Sequence, residues 1–154
     1  MSAPLTTPLT APLTDVRITT LPNGLRVASR LMPGLHSASV GVWVGAGGRD
    51  ERADQNGIAH FLEHMAFKGT ARRTALQIAE AIEDVGGYIN AYTGKEMTAY
   101  HAQVLGPDVE RAFDVLADII LNPIFAEADI ELERNVILQE IGAMLDTPEQ
   151  AVWE

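Results

Sequence analysis

Turn signals cut this sequence into short segments, and the apolar period changes from one segment to the next. "VRITT" and "LRVASRL" alternate apolar and polar residues around Pro22-Asn23-Gly24, and Asn-Gly is the strongest short hairpin signal. "SASVGVWV" (37–44) alternates again and predicts a third strand. "YINAYT" and "MTAYHAQV" flank Gly94-Lys95-Glu96 and predict a second hairpin. Elsewhere the period lengthens to that of a helix. One helix is predicted from about Ile58 to Lys68, with Gly69 just past its end. A second begins at Thr74, where "TALQ" fits a capping box, and stops at Gly86-Gly87. A third opens at Gly106-Pro107, carries Val109, Phe113, Leu116 and Ile120 as its apolar stripe, and closes at Asn122-Pro123. The last spans about Glu127 to Leu145, with Ile130, Ile137, Leu138, Ile141 and Leu145 as its apolar side. Strands and helices that do not alternate as βα units predict an α+β fold, with helices packed on one face of a largely antiparallel sheet.

Composition narrows the functional classes. The 154 residues include no cysteine, which excludes disulfides, Cys-ligated zinc and Cys nucleophiles together. Acidic residues outnumber basic ones 21 to 11, for a net charge of −10. Such a field repels nucleic acid and anionic membrane and favours cationic partners. No apolar run reaches the length of a membrane span. Residues 3–14, "APLTTPLTAPLT", repeat a Pro-Leu-Thr tetrad and are expected to form a solvated tail, leaving 15–154 as the folded domain. The repeat has neither the basic and apolar regions of a signal peptide nor the Arg-rich face of a transit peptide. A soluble protein is expected, with the cytoplasm as the favoured compartment. The polar loop "GAGGRDERADQNG" (45–57) contains no GxGxxG and no GK[ST], so no phosphate is assigned to it.

The stretch "NGIAHFLEHMAFKGT" carries the chemistry. At about 100° per residue, with His60 at 0°, His64 falls near 40°, Phe67 near −20° and Glu63 near −60°. Ile58, Phe61, Leu62 and Met65 fall on the other side. Histidines at i and i+4 can offer ring nitrogens to a single zinc ion, and a glutamate beside them can contact a water there without ligating the metal. This is the H-x-x-E-H pattern. A third ligand is needed, and His36 in a loop and His101 in a strand are poor candidates. Glu133 and Glu140 lie within about 20° of one another on the last helix. One could ligate zinc while the other hydrogen-bonds a histidine; spacing alone does not say which.

"NGIAHFLEHMAFKGT", "GGYINAYTGKEMTAYHA" and "ELERNVILQEI" together resemble the pitrilysin family of metallopeptidases, above all the branch of the mitochondrial processing peptidase β-subunit and its bacterial relatives. The resemblance implies a zinc metalloendopeptidase with one zinc per chain, held by His60, His64 and Glu140. It implies Glu63 as general base and Glu133 as the supporting acidic residue. It implies that the strand edge at Asn90 and Ala91 pairs with an extended peptide substrate. Phe67 would then line a subsite, unless it is simply a core phenylalanine. Asp146, Glu149 and Glu154 follow the ligand helix and would suit basic substrates. Family members comprise two homologous halves and often dimerise. The sequence corresponds to the first part of one half, so a second half-domain, a partner subunit or a homodimer is expected to complete it. The alternative from another class is a catalytically silent, core-protein-like scaffold subunit, although such relatives lose motif residues that are all present here.

Overall fold

The structure is a computed structural model and describes residues 16–146. The Pro-Leu-Thr repeat, Glu149 and Glu154 lie outside the described residues. The chain divides into two compact units, one ending at Leu35 and one beginning at His36. In the first, β1 (Val16–Thr20) and β2 (Arg26–Arg30) pair antiparallel, with Val16 opposite Arg30 and Thr20 opposite Arg26. The predicted turn closes them. Gly24 takes φ 87°, and the Asn23 side chain accepts the Leu25 N–H at 3.1 Å.

The second unit is built on three strands. They are β3 (Ser37–Val44), β4 (Tyr88–Thr93) and β5 (Thr98–Leu105), in the antiparallel order β3-β5-β4. β5 is central, and alternation decides its faces. Tyr100, Ala102 and Val104 point to one side with Val40, Ile89 and Ala91. Against that side pack α1 (Ile58–Ala66), α2 (Ala75–Glu83) and α3 (Val109–Leu121). Ile78 and Ile82 of α2, Ala112, Val115, Leu116 and Ile119 of α3, and Ala66 of α1 complete the core. The other side of the sheet carries Trp43, Tyr88 and Tyr92, all exposed. The fold is α+β, with helices on one face of an antiparallel sheet. α4 (Glu127–Leu145) lies against α1. Among the described residues, no helix is long and apolar enough to cross a membrane.

Three helical details differ from expectation. α1 ends at Ala66 rather than Lys68, because the amides of Phe67 and Lys68 turn back to the carbonyls of His64 and Met65. The buried face of α3 is Ala112, Val115, Leu116 and Ile119, whereas Phe113 is exposed. Both stripes obey the 3.6 period, and the small Ala112 allows the closer approach to the sheet. On α4 only Ile137 of the expected stripe is buried; Leu138, Ile141 and Leu145 are exposed.

α3 also buries a carboxylate. Asp118, 2% exposed, accepts from the Thr70 hydroxyl at 2.8 Å, from Arg73 at 2.5 Å and from the Asn122 amide at 3.1 Å. Burial pushes the Asp118 carboxyl up, but the bonds from Thr70, Arg73 and Asn122 outweigh it and hold it below its usual value. The cluster ties the loop after α1 to α3. Asp118→Asn is expected to lose about 3 kcal/mol of stability near neutral pH, the scale for breaking a buried pair. Folding depresses this pKa, so the stabilisation is complete above the unfolded carboxylate's pKa and is lost as pH falls through the folded one. Denaturant titration of both proteins checks it: the difference should shrink below about pH 4.

Candidate metal centre

α1 starts without a capping side chain. Its N-cap is Gly57 at φ 90°, so the first amides look elsewhere for acceptors. Glu51 supplies them: its two oxygens accept the N–H of Gly57 at 2.6 Å and of Ala59 at 2.8 Å. The loop that brings Glu51 there is itself fastened to the β4–β5 turn. The amides of Gly48 and Arg49 donate to the carbonyls of Gly94 and Lys95 at 3.1 and 2.9 Å. Gly47 permits this approach, since a Cβ there would run into Gly94 and the Glu96 and Met97 amides.

With α1 fixed, its polar face meets α4. His60 Nε2 and His64 Nε2 face each other at 3.2 Å, and Glu140 Oε2 lies 3.6 Å from the first and 3.5 Å from the second. Among the described residues these three offer a set of converging ligand atoms. Ligands about 2.0–2.1 Å from a tetrahedral zinc lie about 3.3–3.4 Å apart, so the triangle suits that ion and leaves one position open.

Glu133 sits one step of seven earlier on α4 and does something different. It is 2% exposed. One oxygen lies 2.9 Å from His64 Nδ1, the other 2.6 Å from Lys68 Nζ. Burial raises the Glu133 carboxyl, but Lys68 and His64 together more than offset this and hold it below its usual value. An ionised carboxylate only accepts. Nδ1 of His64 therefore donates to Glu133, which turns Nε2 toward the cluster.

Glu63 is outside the three-residue set. Its Oε2 accepts the Thr93 hydroxyl at 2.5 Å. Tyr100 is buried, and its phenol is pushed up first by burial and then by the Glu63 charge. Asn90 is exposed on β4, which among the described residues pairs only with β5. The Ala91 N–H donates to the Asn90 side chain at 2.9 Å, and Asn90 donates to the Tyr88 hydroxyl at 2.5 Å. Phe67 is half-buried against the core, its ring 6.3 Å from that of Tyr100. Asp146 is the C-cap of α4. His36 and His101 take no part in the cluster. A cavity of about 470 Å³ lies on the side of α1 turned away from the histidines. Ala59, Leu62, Val44, Tyr100 and Ile119 line it, and they bring no second ligand set.

The profile described as Insulinase (Peptidase family M16) matches residues 26–154. The chain belongs to this peptidase family. An uncharacterized zinc protease of Mycobacterium tuberculosis is 54% identical over 136 residues, covering 88% of this chain and 31% of that protein. A probable mitochondrial-processing peptidase subunit beta of Arabidopsis thaliana is 56% identical over 146 residues, covering 95% of this chain and 27% of that protein. In three dimensions, the crystal structure of a protease from Helicobacter pylori is similar with a TM-score of 0.84. It is 26% identical, and the match covers 90% of this chain and 34% of that one. The chain thus spans about a third of the length of the relatives it matches. The resemblance to this metallopeptidase family stands.

Glu51, Lys68 and Thr93 are the neighbours of the site that sequence reasoning did not single out. Glu51 had one usable signal, a helix start with glycine where a capping side chain belongs. Replacing it with alanine should remove both acceptors at the start of α1. Glu51→Ala is expected to cost about 1–2 kcal/mol, the scale of a lost cap, in a denaturation measurement. Glu51→Gln should fall between the two, since its single amide oxygen can serve one N–H.

Proposed function

We propose that this chain carries the metal site and general base of a zinc-dependent metalloendopeptidase acting on extended peptides. The observation supporting it most is the triangle of His60 Nε2, His64 Nε2 and Glu140 Oε2, sized for a single tetrahedral zinc with one open position. In this reading those three residues hold the ion, and Glu133 orients His64. Zinc, when bound there, supplies a Lewis acid that polarises the scissile carbonyl and activates water near neutral pH.

The remaining steps belong to the chain's own side chains. Thr93 anchors one oxygen of Glu63, which leaves the other to accept the proton of the attacking water and return it to the leaving amine. The open edge of β4 adds the substrate as a further strand, with Asn90 and Ala91 at the point of pairing. For that, the Asn90 side chain gives up the Ala91 N–H to a substrate carbonyl. Phe67 borders the subsite beside the scissile bond, and the net charge of −10 favours basic peptides. The rest of the clamp comes from a second half-domain or partner subunit, so turnover is assigned to the completed assembly.

Metal analysis tests the site. The purified chain should hold about one zinc, and His60→Ala and His64→Ala should hold almost none. Glu140→Gln should lose most of the metal, whereas Glu133→Gln should weaken binding about 10–100-fold. The reverse order would mean that the two glutamates exchange roles, and equal zinc in every variant would sink the site. Glu63→Gln separates base from ligand. It should keep its zinc, yet lower peptide turnover of the completed peptidase about 10²–10⁴-fold. The 154-residue chain alone should bind zinc and cleave poorly, since misplacing the scissile bond by about 1 Å can cost a hundredfold.

A further inference from the structure

The side of Glu133 turned away from the histidine bears on the same site. We infer that Lys68 is a positioning residue for the metal centre: through Glu133 it fixes the orientation in which His64 offers its Nε2. This rests on the zinc-site reading above and adds a residue to it.

Lys68 follows His64 by four positions, beyond the last residue of α1, and its N–H is tied to the Met65 carbonyl at 3.1 Å. Both side chains therefore reach the same part of α4. They take one oxygen each of the Glu133 carboxylate, Lys68 at 2.6 Å and His64 at 2.9 Å. A planar group held at both oxygens cannot turn about its own axis, so the oxygen facing Nδ1 stays in the plane the imidazole needs. Without Lys68 the buried carboxylate keeps only the histidine, and a rotation would take that acceptor out of line. The same staple sets how α4 lies along α1. Glu140 projects from α4 two turns later, so the height of Glu140 against His60 depends on it as well.

The test compares wild type, Lys68→Met, Lys68→Arg, Glu133→Gln and the Lys68→Met/Glu133→Gln pair. Zinc affinity is read by competition with a chelator, and site geometry by the visible absorption of the cobalt(II)-loaded proteins. Lys68→Met should weaken zinc about tenfold or more, the range for groups that orient a ligand, and should alter the cobalt bands. Lys68→Arg, which keeps a charged donor, should recover most of the affinity. The double variant should bind no more weakly than Glu133→Gln alone, because Lys68 acts through that carboxylate. Should Lys68→Met fail to fold, Lys68→Gln takes its place, with the same losses expected. Zinc binding as tight as wild type with unchanged cobalt bands would overturn the inference. So would an equal loss on removing Lys68 in the Glu133→Gln background. A wild-type chain that takes up no zinc would overturn both this inference and the functional reading beneath it.

Discussion

The carboxylate of Glu133, buried between two helices, is the constraint on which the site depends. Burying an ionised group is costly unless its lone pairs are met. Here both oxygens are met, by His64 and Lys68, and both partners come from one end of α1. The docking of α4 has little else to specify it. Its apolar residues point to several sides, Ile137 alone among them is buried, and Leu132, Leu138, Ile141 and Leu145 are exposed. Apolar burial is non-directional, so a helix with this distribution could pack in several rotations. A buried ion pair admits few, and it selects the rotation that brings Glu140 to the histidines.

The opposite end of α1 obeys a parallel logic with weaker means. A helix beginning at glycine has unsatisfied amides, and Glu51 reaches back across a loop to meet two of them. That loop depends on Gly47 lying close enough to the β4–β5 turn for backbone bonding. The same hairpin carries Thr93, which holds Glu63. A single strand pair therefore fixes both the start of α1 and the carboxylate midway along it. The histidines lie between two anchors of opposite kind, a capped N-terminus and a stapled C-terminus.

Most of the fold was legible because it rests on local rules. Asn23-Gly24 and Thr74-Gln77 are turn and cap signals with a mechanism, and the structure places both where the mechanism requires. The bounds of α4 also match the expected ones. What periodicity could not settle was which of two overlapping stripes faces the core. Phe113 and Leu138 looked buried by spacing and are exposed: on α3 the small Ala112 and the ion-paired Asp118 occupy the interior instead, and on α4 Ile137 and the ion-paired Glu133 do. In the site, the H-x-x-E-H spacing and the step of seven between Glu133 and Glu140 were legible as faces of helices. Glu51, Lys68 and Thr93 were not singled out, because the partner of each lies across a tertiary contact that spacing does not reveal.

Three glutamates crowd this region, and their surroundings set them apart. Glu133 is buried and held at both oxygens, so it can neither approach an ion nor take part in proton transfer without breaking the staple. Glu140 is half exposed, and its Oε2 lies 3.6 Å from His60 Nε2 and 3.5 Å from His64 Nε2, where the proposed site needs its third ligand. Glu63 lies between these extremes. Thr93 fixes one of its oxygens. In the proposed mechanism the residue that gains and loses a proton needs a defined position, and Glu63, held by Thr93 at one oxygen, meets that need. In that reading, environment more than residue type divides support, ligation and proton transfer among them.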